Sequence, residues 1–202
     1  MLCEKDTQSL QLLAHWNYFL AIEQDLIALS RFIEFSQSNY EAYSIELTRL
    51  LMASVSEIDV LMKEICVSEK EKSDMGISDY RSHFLGAEPW DIHTKLLLRE
   101  VVTIPRYNLY FTPWDIWNSN NKDAPEWWQA NNKVKHHRST HFNQANLKNV
   151  LNAAAALYQS NIHLIRNTNE KLFHSGLLKH PELFELDIDP FSSTGMFKNE
   201  ID

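Results

Sequence analysis

Tyr43–Ile65 reads YSIELTRLLMASVSEIDVLMKEI, and its period decides the fold. Tyr43, Leu47, Leu50, Leu51, Val55, Ile58, Leu61, Met62 and Ile65 recur at spacings near three and four, which lays them on one wide helical face. The spacing predicts a helix of about seven turns. Upstream, Ser9–Phe35 carries Leu12, Leu13, Trp16, Leu20, Ile27 and Phe32 in similar spacings, with Glu23, Asp25 and Glu34 between them. This predicts a second long helix. Only Ser36-Gln37-Ser38-Asn39 separates the two, so they form an antiparallel hairpin. Glu57 falls at the edge of the apolar stripe, where a carboxylate pairing with a Lys or Arg is expected rather than a catalytic acid.

Downstream of the hairpin, Ser68–Asp79 is polar and reads as a surface loop. Asp79–Trp117 is the least periodic part, with short helices expected over Tyr80–Leu85 and His93–Glu100. Val101–Ile104 and Tyr107–Phe111 then form two short β segments about Pro105-Arg106. Pro113 starts a further helical turn. Trp90, Trp114, Trp117, Trp127 and Trp128 gather in and just beyond this region. Base stacking is one use for such a cluster, but buried packing is the commoner one. Asp123-Ala124-Pro125-Glu126 starts a helix running to about Arg138, with Asp123 as its cap. Ser139 or Thr140 would cap a last long helix, Phe142 to about Arg166, with the alanines Ala153–Ala156 permitting close approach of a neighbour. The expected architecture is all-α, or mainly α, a helical bundle with one long hairpin and a small irregular or β-like insert. Residues 1–180 form one domain, and 181–202 an acidic, peripheral tail with Glu182, Glu185, Asp187, Asp189, Glu200 and Asp202 against Lys198.

Composition removes several function classes. The four glycines, Gly76, Gly86, Gly176 and Gly195, lie too far apart for G-x-G-x-x-G or a P-loop. No G-x-S-x-G elbow supports a serine hydrolase. Cys3 and Cys66 fit no metal spacing, and no apolar run approaches a spanning helix, so a reducing cytoplasm with no membrane contact is expected. The formal net charge of −8 argues against a general polyanion binder. Yet Trp127–Asn169 contains no Asp or Glu, while holding Lys133, Lys135, Arg138, Lys148 and Arg166 with His136, His137, His141 and His163. One region of an acidic molecule can therefore attract an anion.

The centre of that region is Trp127-Trp128-Gln129-Ala130-Asn131-Asn132-Lys133-Val134-Lys135-His136-His137-Arg138-Ser139-Thr140-His141. On a helix, Trp127, Ala130, Val134 and His137 share an inner face, with His137 half-buried, while Asn132 and His136 share another. An imidazole beside amides and lysines suits phosphodiester chemistry without a metal: His exchanges a proton near neutral pH and the cations hold phosphate charge. Complementing the dipole at a helix C-terminus explains the same clustering with no chemistry at all. Zinc on His136, His137 and His141 lacks an acidic ligand and the H-E-x-x-H pattern.

A long helical hairpin, a helix ending in a polar-basic histidine motif and one more long helix together resemble the HEPN superfamily. The resemblance spans roughly Asn17–Arg166, and Pro125–Ala156 is also similar to bacterial and mobile-element proteins. The family's motif is an Arg, then a polar residue, then a His four to six residues after the Arg; here Asn132 and His136 take the polar and histidine places, and Asn131 stands in the arginine's place. The resemblance implies a homodimer whose paired motifs form one cleft, metal-independent RNA cleavage or RNA binding with no cofactor, and a setting in toxin–antitoxin or anti-phage defence with an antitoxin or other protein partner. His136 would be the general acid or base, with Asn131 and Asn132 orienting it or the phosphate. Lys133, Lys135, Arg138, His137 and His141 would hold the RNA. With an amide in place of the guanidinium, the alternative is a non-catalytic helical interaction protein whose basic helix end docks an acidic partner, its own tail included.

Overall fold

A helix apolar on one stripe must bury that stripe, and here the burial converges on the last long helix. The structure, a computed structural model, describes residues 4–66, 71–86, 97–118 and 123–187. Within them run α1 (Glu4–Leu29), α2 (Ile45–Ile65), α3 (Ile77–Gly86), β1 (Val101–Ile104), β2 (Leu109–Phe111), α4 (Glu126–His141), α5 (Leu147–Thr168), α6 (Glu170–His174) and β3 (Glu185–Asp187). The fold is mainly α with a small sheet. From Leu147 to Ile165 only Lys148 and Asn152 escape full burial, so α5 is enclosed on all sides, with α1, α2 and α4 packed against it. Ala153, Ala154, Ala155 and Ala156 have no exposed surface, and their small side chains allow that enclosure.

Two caps set the start of the bundle. The Ser44 hydroxyl accepts the Leu47 N–H at 3.1 Å, and the Asn146 side chain accepts the Asn149 N–H at 3.0 Å. Between them Tyr43 and Asn146 form an antiparallel bridge, and the Leu147 N–H donates to the Ala42 carbonyl at 2.9 Å, so α2 and α5 begin side by side. α1 runs antiparallel to α2, stitched by His15 Nδ1 to Glu57 Oε1 at 2.6 Å near one end and Arg49 to Asp25 at 2.6 Å near the other. The sheet has order β2–β1–β3, all antiparallel, with Val102 opposite both Phe111 and Leu186. Asn108, at φ 51°, closes the β1–β2 turn in the left-handed region that Asn tolerates. No described helix is long and apolar enough to cross a membrane.

Several expectations need correction. The first helix stops at Leu29, leaving Phe32 83% exposed while Phe35 fills the core. Tyr43 precedes α2 rather than joining its buried face. The partner of Glu57 is His15, not a Lys or Arg. α4 begins after Pro125 with no side-chain cap, and Asn146, not Ser139 or Thr140, caps α5, because a short 3-10 turn, Phe142–Gln144, intervenes. The domain does not end at 180. Leu183 and Phe184 are core residues, Glu185–Asp187 complete the sheet, and the fully buried Glu23 carboxylate accepts the N–H groups of Glu182, Leu183 and Phe184 at 3.0, 2.9 and 3.2 Å. Half of the helix expected over His93–Glu100 falls outside the described residues, and in the described half Leu97–Arg99 forms a turn instead. Trp90, Cys3 and residues 188–202 also lie outside them.

Burial, with the charge of Asp79 adding to it, pushes the Cys66 thiol up to about 12. At mildly alkaline pH the peptide carrying Cys66 should stay unlabelled by iodoacetamide in the folded protein and label fully once denaturant is added. Peptide mass spectrometry checks this; labelling of the folded protein at the rate of a free thiol would contradict the burial.

Candidate nucleic-acid interface

The inner face of α4 is fixed by aromatic anchors. Trp127, Trp128, Ala130, Asn131 and Val134 are buried, and Trp127 Nε1 donates to the Pro113 carbonyl at 3.0 Å. Trp114 packs edge-on to Trp127 with centroids 5.1 Å apart, and Trp128 lies edge-on to Tyr80 at 6.3 Å. All four described members of the tryptophan cluster are buried, so their rings build the core and no base can reach them. With that face held inward, the helical period turns Asn132, Lys133, Lys135 and His136 out to solvent.

The helix then breaks. His137 has φ −139° and ψ 44°, and Arg138–His141 form a last, reoriented turn in which the Thr140 hydroxyl donates to the His137 carbonyl at 3.1 Å. The break overturns the placement of His137 on the inner face: the residue is exposed, its ring 6.3 Å from that of His141 and nearly perpendicular to it. Every residue from Lys135 to Thr140 is exposed, and the chain end of α4 forms a prominence of cations and imidazoles.

Electrostatics divides the acid-free stretch. Lys148 is neutralised by Glu126 at 2.6 Å and Arg166 by Glu100 at 2.7 Å, while His163 is buried and pairs with Asn167 at 2.9 Å. Among the described residues, neither Lys133 nor Lys135 has a carboxylate within ion-pairing distance. The Arg138 guanidinium lies over the Phe142 ring, 5.3 Å from its centroid, and Phe142 in turn meets Tyr43 edge-on at 5.3 Å. No group of three or more His, Cys, Asp or Glu side chains among the described residues is placed to hold a metal.

The predicted site residues are therefore brought together in part. Asn132, Lys133, Lys135, His136, His137 and Arg138 share the exposed end of α4, with His141 at its edge. Asn131 does not join them. It is 7% exposed, faces the core beside Val134, and its Oδ1 has no hydrogen-bond partner. Tyr43, expected on the apolar face of α2, and Phe142, expected as the start of the last helix, stand against the site instead; the signal lay in Ser44 and Asn146, cap residues that place each aromatic before a helix. A cleft of about 220 Å³ over Trp127, Lys148 and Asn152 lies at the other end of α4. Class and site together define a mainly α protein with an exposed basic helix end. No protein family, no curated protein and no solved structure matches the chain.

Proposed function

We propose that the chain is an RNA-cleaving or RNA-binding effector of a prokaryotic defence or toxin–antitoxin system, a HEPN-type domain acting as a homodimer. The observation that carries the reading is the charge pattern of α4: in a chain of net charge −8, its exposed end holds Lys133, Lys135 and Arg138 with no carboxylate paired to them among the described residues. An anion is the partner that such an end lacks. His136, one turn after Asn132 and beside both lysines, is the group for proton transfer at a bound phosphodiester, and the lysines hold the backbone.

The buried Asn131 favours a second reading, a non-catalytic binder, because no residue in the arginine's place reaches the surface beside His136. Both readings require an anionic partner at this helix end, and the first requires that it be RNA. Association of a mixed RNA pool with the full chain should weaken steeply with salt. Lys133→Ala with Lys135→Ala should lower the log–log salt slope by roughly 0.7 for each phosphate that a lysine no longer neutralises on a single strand. Fluorescence anisotropy across a salt series measures both. An unchanged slope in the double variant would place RNA elsewhere, and no association at all would end the reading.

A further inference from the structure

The exposed aromatic surface beside α4 specifies which form of RNA fits, an inference that rests on the RNA reading above. We infer that Tyr43, Phe142 and Arg138 form a stacking shelf for an unpaired base, so that the helix end takes single-stranded RNA. The three side chains are contiguous: Arg138 over Phe142 at 5.3 Å, and Phe142 edge-on to Tyr43 at 5.3 Å and 81°. Tyr43 is 51% exposed, so its ring offers open surface, whereas the tryptophans of the chain that the structure describes lie in the core.

The shelf is also rigid, which lowers the entropic cost of using it. Tyr43 sits in the backbone bridge to Asn146, flanked by the Leu147 N–H to Ala42 carbonyl bond at 2.9 Å and the Lys148 N–H to Tyr40 carbonyl bond at 3.2 Å. The nearby carboxylates are occupied: Glu41 accepts from Asn146 Nδ2 at 3.2 Å, and Glu46 is held by Arg49. An aromatic face with Arg138 over it, next to the helix that carries the exposed Lys133 and Lys135, matches the two needs of a single strand, a ring for a base and cations for phosphates. A duplex keeps its bases stacked on one another and can use only the cations.

The test compares a short labelled adenosine-rich RNA strand with a blunt RNA duplex of the same length, by anisotropy on the full chain. The single strand should bind more tightly than the duplex. Tyr43→Ala should weaken the strand by about 5- to 150-fold, the range for removing one stacked base, while leaving the duplex affinity and the salt slope unchanged. Tyr43→Trp should restore the strand affinity, which a merely structural role for Tyr43 would not predict. Phe142→Leu, which keeps an apolar side chain under Arg138, should weaken the strand as well. If Tyr43→Ala leaves strand affinity intact while Lys133→Ala with Lys135→Ala weakens both probes, the shelf is overturned and the RNA reading survives. If neither probe binds, both fall.

Discussion

RNA cleavage in excess EDTA is expected to fall by about 10²- to 10⁴-fold when His136 is replaced by Ala, and to persist in His137→Ala. The expectation starts from position. His136 is the last residue before the backbone break at His137, exposed one turn after Asn132 and next to Lys135. Attack by a ribose 2′-hydroxyl needs a group to take its proton and a group to give one to the departing 5′-oxygen. One imidazole cannot do both in the same instant, whereas two copies of His136 could in the proposed homodimer. On that reading Lys133 and Lys135 would offset the charge that grows on the phosphate. Because His136 is exposed, its replacement should shift unfolding by no more than about 0.5 kcal/mol, so lost activity would not report lost fold. Product analysis on a denaturing gel decides it. Cleavage unchanged in His136→Ala would remove this residue from the chemistry, and RNA binding without any cleavage by the parent protein would leave the binding module.

The second large effect concerns stability. Glu23→Ala should destabilise the protein by at least about 3 kcal/mol, since each buried backbone donor left without a partner costs roughly 1–3 kcal/mol. The Glu23 carboxylate has no exposed surface and takes three successive backbone N–H groups, those of Glu182, Leu183 and Phe184. Removing it leaves those donors without partners beside an apolar layer in which Phe184 meets Phe19 at 6.1 Å and Tyr158 at 6.3 Å. The segment would also lose its grip on β1, since β3 begins at Glu185. Glu23→Gln should cost less, because an amide oxygen still accepts from the backbone without the charge. Chemical denaturation of the three proteins checks the order; equal midpoints would show that β3 and Phe184 hold the segment without the carboxylate.

Much of the bundle was legible because long helices announce themselves by period. The stripe from Leu47 to Met62 on α2 and from Leu147 to Ile165 on α5 is buried as that period requires, and the paired apolar residues around Pro105 became β1 and β2. Boundaries were less legible. Phe32 and Tyr43 share the apolar character of their neighbours, and what leaves them outside is where the chain turns, which for Tyr43 is held by a bridge to Asn146 far along the chain. The third strand was hidden for a similar reason. Glu185-Leu186-Asp187 looks like part of an acidic tail until β1 offers an edge and Glu23, far earlier in the chain, accepts three backbone N–H groups.

By itself the sequence determined the helical class, the hairpin and the presence of one acid-free, histidine-bearing helix end, since each follows from local spacing or from which residue types are present. Only the tertiary structure decided which of those side chains meet solvent. Asn131 and Asn132 are chemically identical neighbours, yet one faces the core and the other the surface, because the tryptophan anchors of α4 fix the rotation of the whole helix. His137 escaped that rotation through a single backbone break, and Tyr43 reached the site through a bridge to Asn146. Period assigns a residue to a stripe, but packing against α2 and α5 selects which stripe is buried, and that choice places a functional group.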